Sequence, residues 1–194
     1  DPAILYVVEG GADMAQNLLD IQFDKIFFTG STTVGRIVAK AASQFLTPVT
    51  LELGGKSPCL VLDDADLKSA ARRISWGKFL NAGQTCIAPD YVLVDESIYE
   101  DFLVHLREQT IKLWGAEPEK SDHYPRIINR KHTQRLNELI DTHRVFHGGE
   151  VNIDQNYIAP TLLRDIEVTD SVMKDEIFGP LLPVIKYSNF EELK

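Results

Sequence analysis

The sequence predicts an α/β protein in which a parallel, doubly wound sheet gives way to a second α/β domain. Three observations carry this. Short apolar runs alternate with helical spacing over residues 1–53, in the order β-α-β-α-β. A Gly54-Gly55 pair then breaks the chain, which marks a change of domain. Beyond it, strand-like and helix-like segments alternate again to the end of the 194 residues.

Ile4-Leu5-Tyr6-Val7-Val8 is a continuous apolar run ended by Gly10-Gly11, expected to be a buried strand. Residues 12–21 carry helical spacing through Met14, Leu18 and Ile21. Lys25-Ile26-Phe27-Phe28-Thr29 reads as the next strand. Gly30-Ser31 then opens a helix running to about Phe45, with Val34, Ile37, Val38 and Ala41 on one face and Pro48 as its stop. Val49 to Leu53 closes this half as a third strand.

In the second half, Cys59 to Leu62 reads as a strand and Asp63-Asp64-Ala65-Asp66 as a turn with helix N-cap residues. Leu67, Ala70, Ala71 and Ile74 give the next helix its apolar face, and Gly83 is expected to cap its C-terminus. Tyr91 to Val94 is a strand. A long amphipathic helix follows with Tyr99, Phe102, Leu103, Leu106, Thr110 and Leu113. Residues 115–130 read as a polar loop, 131–143 as a helix, and Ala159–Leu163 and Leu182–Tyr187 as strands flanking a loop at 175–180. Periodicity does not give the sheet order.

Hydrophobic residues make up 44% and charged residues 25% of the chain, enough to bury a core. The net charge of −9, with lysines and arginines scattered, argues against nucleic acid as a partner. No apolar run approaches a membrane span, and Asp1-Pro2, with no basic n-region and no apolar h-region behind it, is not expected to open a signal peptide. Two cysteines without paired spacing point to a reducing, cytoplasmic setting and against a disulfide scaffold. Metal-ligand spacing of the Cys-x-x-Cys or His-x-x-x-His kind is absent, so no metal is expected.

Four stretches could carry chemistry. Asn81-Ala82-Gly83-Gln84-Thr85-Cys86-Ile87-Ala88-Pro89 places Cys86 in a turn bounded by Gly and Pro. There it is either a presented nucleophile or a small buried apolar residue. Leu51-Glu52-Leu53-Gly54-Gly55-Lys56-Ser57-Pro58 holds one carboxylate in an apolar strand. Its leucine neighbours are expected to desolvate Glu52 and raise its pKa, as a general base needs, although a structural carboxylate fits the same pattern. Gly30-Ser31-Thr32-Thr33-Val34-Gly35 lies at a helix start, where free N–H groups suit a phosphate, or where Ser31 or Thr32 merely caps the helix. Glu176 and Phe178 sit in the loop Glu176-Ile177-Phe178-Gly179-Pro180, unremarkable by itself. Cys59 reads as core, and the five histidines mostly as surface residues.

Taken together, Phe28-Thr29-Gly30-Ser31-Thr32, the Glu52 stretch, Gly83-Gln84-Thr85-Cys86 and Glu176-Ile177-Phe178-Gly179-Pro180 resemble four motifs of the aldehyde dehydrogenase superfamily, in family order. Cys86-Ile87-Ala88-Pro89-Asp90-Tyr91 further resembles the class 3, fatty-aldehyde-dehydrogenase-like branch. The resemblance implies that residues 1–54 are the C-terminal part of a Rossmann-like NAD(P)-binding domain and residues 55–194 a catalytic domain. It implies Cys86 as the nucleophile passing through a thiohemiacetal and a thioester, and Glu52 as the base for hydrolysis. Gly30, Ser31 and Gly35 would hold the pyrophosphate of NAD or NADP, Glu176 the nicotinamide ribose, and Phe178 the ring. The substrates implied are medium- or long-chain aliphatic, or aromatic, aldehydes, within lipid metabolism. A homodimer is implied for the full-length protein, with membrane anchoring in some relatives through a C-terminal segment.

The ends of the chain read as cut, so an internal fragment inactive by itself is expected. Three other readings compete. An acyl transfer to coenzyme A would not need the Glu52 carboxylate. A non-catalytic scaffold would not need Cys86, Glu52, Glu176 and Phe178 together. A cofactor-free cysteine hydrolase would require that the full-length protein bind no nicotinamide dinucleotide.

Overall fold

The structure is a computed structural model that describes residue 1 and residues 4–193. The chain divides into two compact units, Asp1–Gly54 and Gly55–Lys194.

The first unit contains α1 (Ala12–Leu18), β1 (Ile26–Thr29), α2 (Thr32–Ser43) and β2 (Val49–Glu52). β1 and β2 pair in parallel, Ile26 opposite Val49 through Thr29 opposite Glu52. The ladder runs one residue further, with the Gly30 N–H donating to the Glu52 carbonyl at 3.0 Å. Ser31 caps α2, its hydroxyl accepting from the Val34 N–H. Gly35, Val38 and Ala42 form the buried face of α2. A Cβ at Gly35 would lie 2.7 Å from Leu53 Cδ2, so the missing side chain lets the helix approach the end of β2.

The expected strand at Ile4–Val8 does not form. The Ile4 and Leu5 N–H groups instead turn back onto the Asp1 carbonyl, at 2.9 and 3.1 Å, and residues 4–8 are between 45% and 84% exposed. An apolar run becomes a strand only when a neighbour supplies the ladder, and among the described residues this unit's sheet holds β1 and β2. The helix expected over 12–21 stops at Leu18, and α2 ends at Ser43 rather than near Phe45.

In the second unit, β3 (Pro58–Val61), α3 (Leu67–Phe79), β4 (Tyr91–Asp95) and α4 (Tyr99–Trp114) come first. Then follow α5 (Arg130–Asn137), β5 (Val145–His147), β6 (Val151–Asn152), β7 (Tyr157–Ile158), β8 (Thr161–Leu163), α6 (Ser171–Lys174) and β9 (Leu181–Tyr187). The sheet order is β3-β4-β9-β8-β5, parallel throughout except that β5 runs antiparallel to β8; β6 and β7 make a small ribbon apart. β9 lies in the middle and buries every residue but Lys186, as a strand covered on both faces must.

Asp66 caps α3 by accepting from the Ser69 N–H at 2.7 Å. α3 and α4 join through a buried hydrogen bond between Ser75 Oγ and Thr110 Oγ1, 3.0 Å. The helix expected over 131–143 is shorter, because Asp141 captures the His143 N–H and starts a separate 3-10 turn. Within the loop 115–130, Tyr124 and Ile127 are buried; the Tyr124 hydroxyl donates to the Ile158 carbonyl at 3.0 Å. The helix expected to begin near Glu191 takes the form of a 3-10 turn over Phe190–Leu193, and residue 194 lies outside the described residues.

Candidate active site

Gly83 is not a simple C-cap. α3 ends at Phe79, and the next four residues form a turn in which Asn81, Ala82 and Gly83 all adopt positive φ, at 53°, 52° and 72°. Left-handed backbone at Asn81 and Ala82 costs about 1 kcal/mol each, so tertiary contacts must hold it. Gln84 supplies several. Its side-chain amide donates to the carbonyls of Asn81 (3.0 Å) and Arg126 (3.2 Å), and its oxygen accepts from the Ile128 N–H (2.9 Å). Asn81 Nδ2 answers with a bond to the Gln84 carbonyl at 3.1 Å. Ala82 and Gly83 are buried beneath the turn, and Cys86 stands exposed at its far side. The rigid base and open thiol suit a side chain that must meet an incoming carbonyl.

The loop carrying Glu176 and Phe178 packs directly against this turn. A Cβ at Gly83 would lie 2.2 Å from the Gly179 carbonyl oxygen, which leaves room for hydrogen alone. Gly179 is equally tight against Leu136 of α5, at 2.5 Å from an added Cβ. Phe178 takes φ 47° and keeps its ring 40% exposed. Glu176 is half-buried, and among the described residues its carboxylate has no hydrogen-bond partner. The sequence places these two loops about ninety residues apart; the sheet order brings them together.

The expectation that Glu52 is desolvated is corrected. Its side chain is exposed, while Leu51 and Leu53 are half-buried. In an extended chain, successive side chains point to opposite faces, so apolar neighbours on both sides leave the middle residue on the open face. In the first unit, Gly30 and Ser31 are exposed at the start of α2. Gly35 is buried against Leu53, and its role in the structure is close packing. Cys59 is half-buried against the core, and burial pushes its thiol pKa up.

Sequence reasoning passed over Lys56, Lys78, Asp90 and Arg135. Lys56 and Asp90 each stand four residues beyond a residue it did select, Glu52 and Cys86. Lys78 is a lysine on the apolar face of α3, a pattern that could have marked it as buried.

The whole chain, residues 1–194, matches the aldehyde dehydrogenase family. This chain belongs to that family. It is similar to the "Aldehyde dehydrogenase, dimeric NADP-preferring" of Rattus norvegicus, 49% identical over 99% of this chain and 42% of the rat protein. It is also similar to "Aldehyde dehydrogenase family 3 member A2" of Pongo abelii, 45% identical over 99% of this chain and 40% of that protein. Among solved structures, the substrate-bound state of Staphylococcus aureus AldH superposes with a TM-score of 0.91 at 44% identity, over 96% of this chain and 41% of that one. The aldehyde dehydrogenase chain described here therefore spans about two fifths of the length of these relatives. The family 3 name of the Pongo abelii relative agrees with the class 3 resemblance of the Cys86 stretch.

Proposed function

We propose that the full-length polypeptide containing these residues oxidises an aldehyde to a carboxylic acid with NAD(P)+, using Cys86 as nucleophile and Glu52 as general base. The observation that carries this is the Cys86 turn, which holds an open thiol on a pinned base packed against the Glu176–Phe178 loop.

The residues fit the cofactor. The exposed start of α2 offers the N–H groups of Thr32 and Thr33, which an α-helix cannot pair internally, to a pyrophosphate. The unpartnered, half-buried Glu176 carboxylate suits ribose hydroxyls, and the exposed Phe178 ring offers a flat face to a nicotinamide.

The Cys86 sulfur bonds to the aldehyde carbon, and the Cys86 amide N–H donates to the oxygen that becomes charged. When bound, NAD(P)+ supplies the hydride acceptor that turns this adduct into a thioester. Glu52, open to solvent, takes a proton from the water that attacks the thioester, and the acid leaves as the thiolate is restored. Medium- or long-chain aliphatic, or aromatic, aldehydes are the proposed substrates. The rat relative's name supports assaying both cofactors and looking for a homodimer.

The test is kinetic. In the full-length protein, Cys86→Ser abolishes reduced-cofactor formation. Glu52→Gln leaves a burst of reduced cofactor followed by slow turnover, because hydrolysis suffers more than hydride transfer. Wild-type turnover in Cys86→Ser would overturn the reading. The 194 residues alone, two fifths of a relative's length, are proposed to turn over little or no aldehyde.

A further inference from the structure

Three side chains from three separate segments grip the main chain on both sides of Glu176. Asp90, 2% exposed, lies four residues beyond Cys86. Its Oδ1 accepts from the Ile177 N–H at 2.9 Å, and its Oδ2 pairs with Lys56 Nζ. Lys56 Nζ also donates to the Asp175 carbonyl at 2.9 Å. From α5, Arg135 Nη2 donates to the Ile177 carbonyl at 2.6 Å. The carbonyl before Glu176 and both polar groups of the residue after it are thus fixed, while the Glu176 carboxylate is left for something else.

The surroundings strengthen this arrangement. Lys78 is fully buried on α3 and faces Asp90, Lys56 and Glu176; burial pushes its pKa down to about 8 against the pull of the two carboxylates. Arg135 has Asp175, Glu176 and Asp90 around it. Three cations thus surround three carboxylates, at a place where the removal of one partner leaves another uncompensated.

We propose that Lys56, Asp90 and Arg135 are positioning residues that lock the loop main chain to the Cys86 turn, so that Glu176 and Phe178 meet the nicotinamide end of the cofactor at a fixed offset from the sulfur. This rests on the reading of Glu176 and Phe178 as cofactor contacts. Hydride transfer is sensitive to this offset: a displacement of about 1 Å can cost roughly 100-fold in rate.

The test uses the full-length protein with Arg135→Met, Arg135→Lys, Lys56→Met, Glu176→Gln and the double variant Arg135→Met with Glu176→Gln. The burst rate of reduced-cofactor formation and the rate of Cys86 alkylation without cofactor are both measured. Arg135→Met and Lys56→Met are expected to slow the burst roughly 10- to 100-fold while alkylation stays within about twofold. Arg135→Lys, which keeps a donor, restores most of the rate. The double variant loses no more than the worse single variant, because both changes act through one carboxylate.

Wild-type bursts in Arg135→Met and Lys56→Met, with a slowed Glu176→Gln, would overturn the positioning role and leave the cofactor reading standing. An unaffected Glu176→Gln would overturn both. Additive losses in the double variant would overturn the positioning role alone. Thermal melting identifies any variant unfolded at assay temperature; Lys56 and Arg135 are both half-buried, and the milder Arg135→Lys and the other single variant then decide.

Discussion

Gly83 and Gly179 meet backbone to backbone: a Cβ on Gly83 would stand 2.2 Å from the Gly179 carbonyl oxygen and 3.1 Å from that of Lys78. The contact joins the turn that presents Cys86 to the loop that presents Phe178. Neither glycine is interchangeable with alanine, for different reasons. Gly83 also has φ 72°, so an L side chain there is strained as well as blocked.

Gly83→Ala is therefore expected to cost more than roughly 3 kcal/mol, since the obstacle is main chain and cannot rotate away. Gly179→Ala meets the Leu136 side chain, which can shift in part, and costs less. Melting temperatures of the two variants give the order, and equal losses would show that the Gly83 contact is not the tighter one.

Gln84→Ala removes two donated and one accepted hydrogen bond from the base of the Cys86 turn. A loss of roughly 1–3 kcal/mol is expected, together with slower Cys86 alkylation. Gln84→Glu is expected to be at least as harmful, because a carboxylate would face the Asn81 and Arg126 carbonyls with no proton to donate. Denaturant midpoints and alkylation rates check both.

The two cysteines should label in a fixed order. Cys86 is exposed, whereas Cys59 is half-buried with its thiol pKa raised by burial, so less of it is thiolate near neutral pH. Iodoacetamide followed by peptide mass spectrometry should find Cys86 modified first. In the full-length protein, Cys59→Ser should leave the proposed aldehyde turnover close to wild type.

Lys78 gives a pH signature. Free lysine holds its proton to 10.5, and buried Lys78 only to about 8. Between those values the unfolded chain binds more protons, so this residue makes stability rise with pH across the window. Relative to Lys78→Met, the wild type should gain up to about 3 kcal/mol from pH 8 to pH 10.5. Urea denaturation of both proteins at several pH values measures the difference, and a flat one would mean the ammonium is solvated in the fold.

Much of this was legible beforehand. The spacing of Leu67, Ala71 and Ile74, and of Phe102, Leu103 and Leu106, identified two helices and their inward faces, with Leu67 partly buried. The face expected on α2 was misplaced: of Val34, Ile37, Val38 and Ala41, Val38 is buried while Val34 and Ile37 are exposed, because the helix turns Gly35, Val38 and Ala42 inward. Asp66 read correctly as a cap. Glu52 misled, because two flanking leucines suggested burial when strand alternation turns them to the other face. β5, β6 and β7 gave no signal: two or three residues cannot establish a period.

Local sequence thus determined which residues cap, turn or line a helix, because those choices depend on hydrogen bonds and periods spanning a few residues. It also set the chemical types on offer: a thiol, a carboxylate in a strand, an acid–aromatic pair. Tertiary structure alone decided that β9, last in the chain, slots between β4 and β8. It likewise decided that Asp90 and Arg135 hold the Ile177 main chain. Such pairings join groups some forty to ninety residues apart, and they gain free energy only once the intervening chain has packed its core.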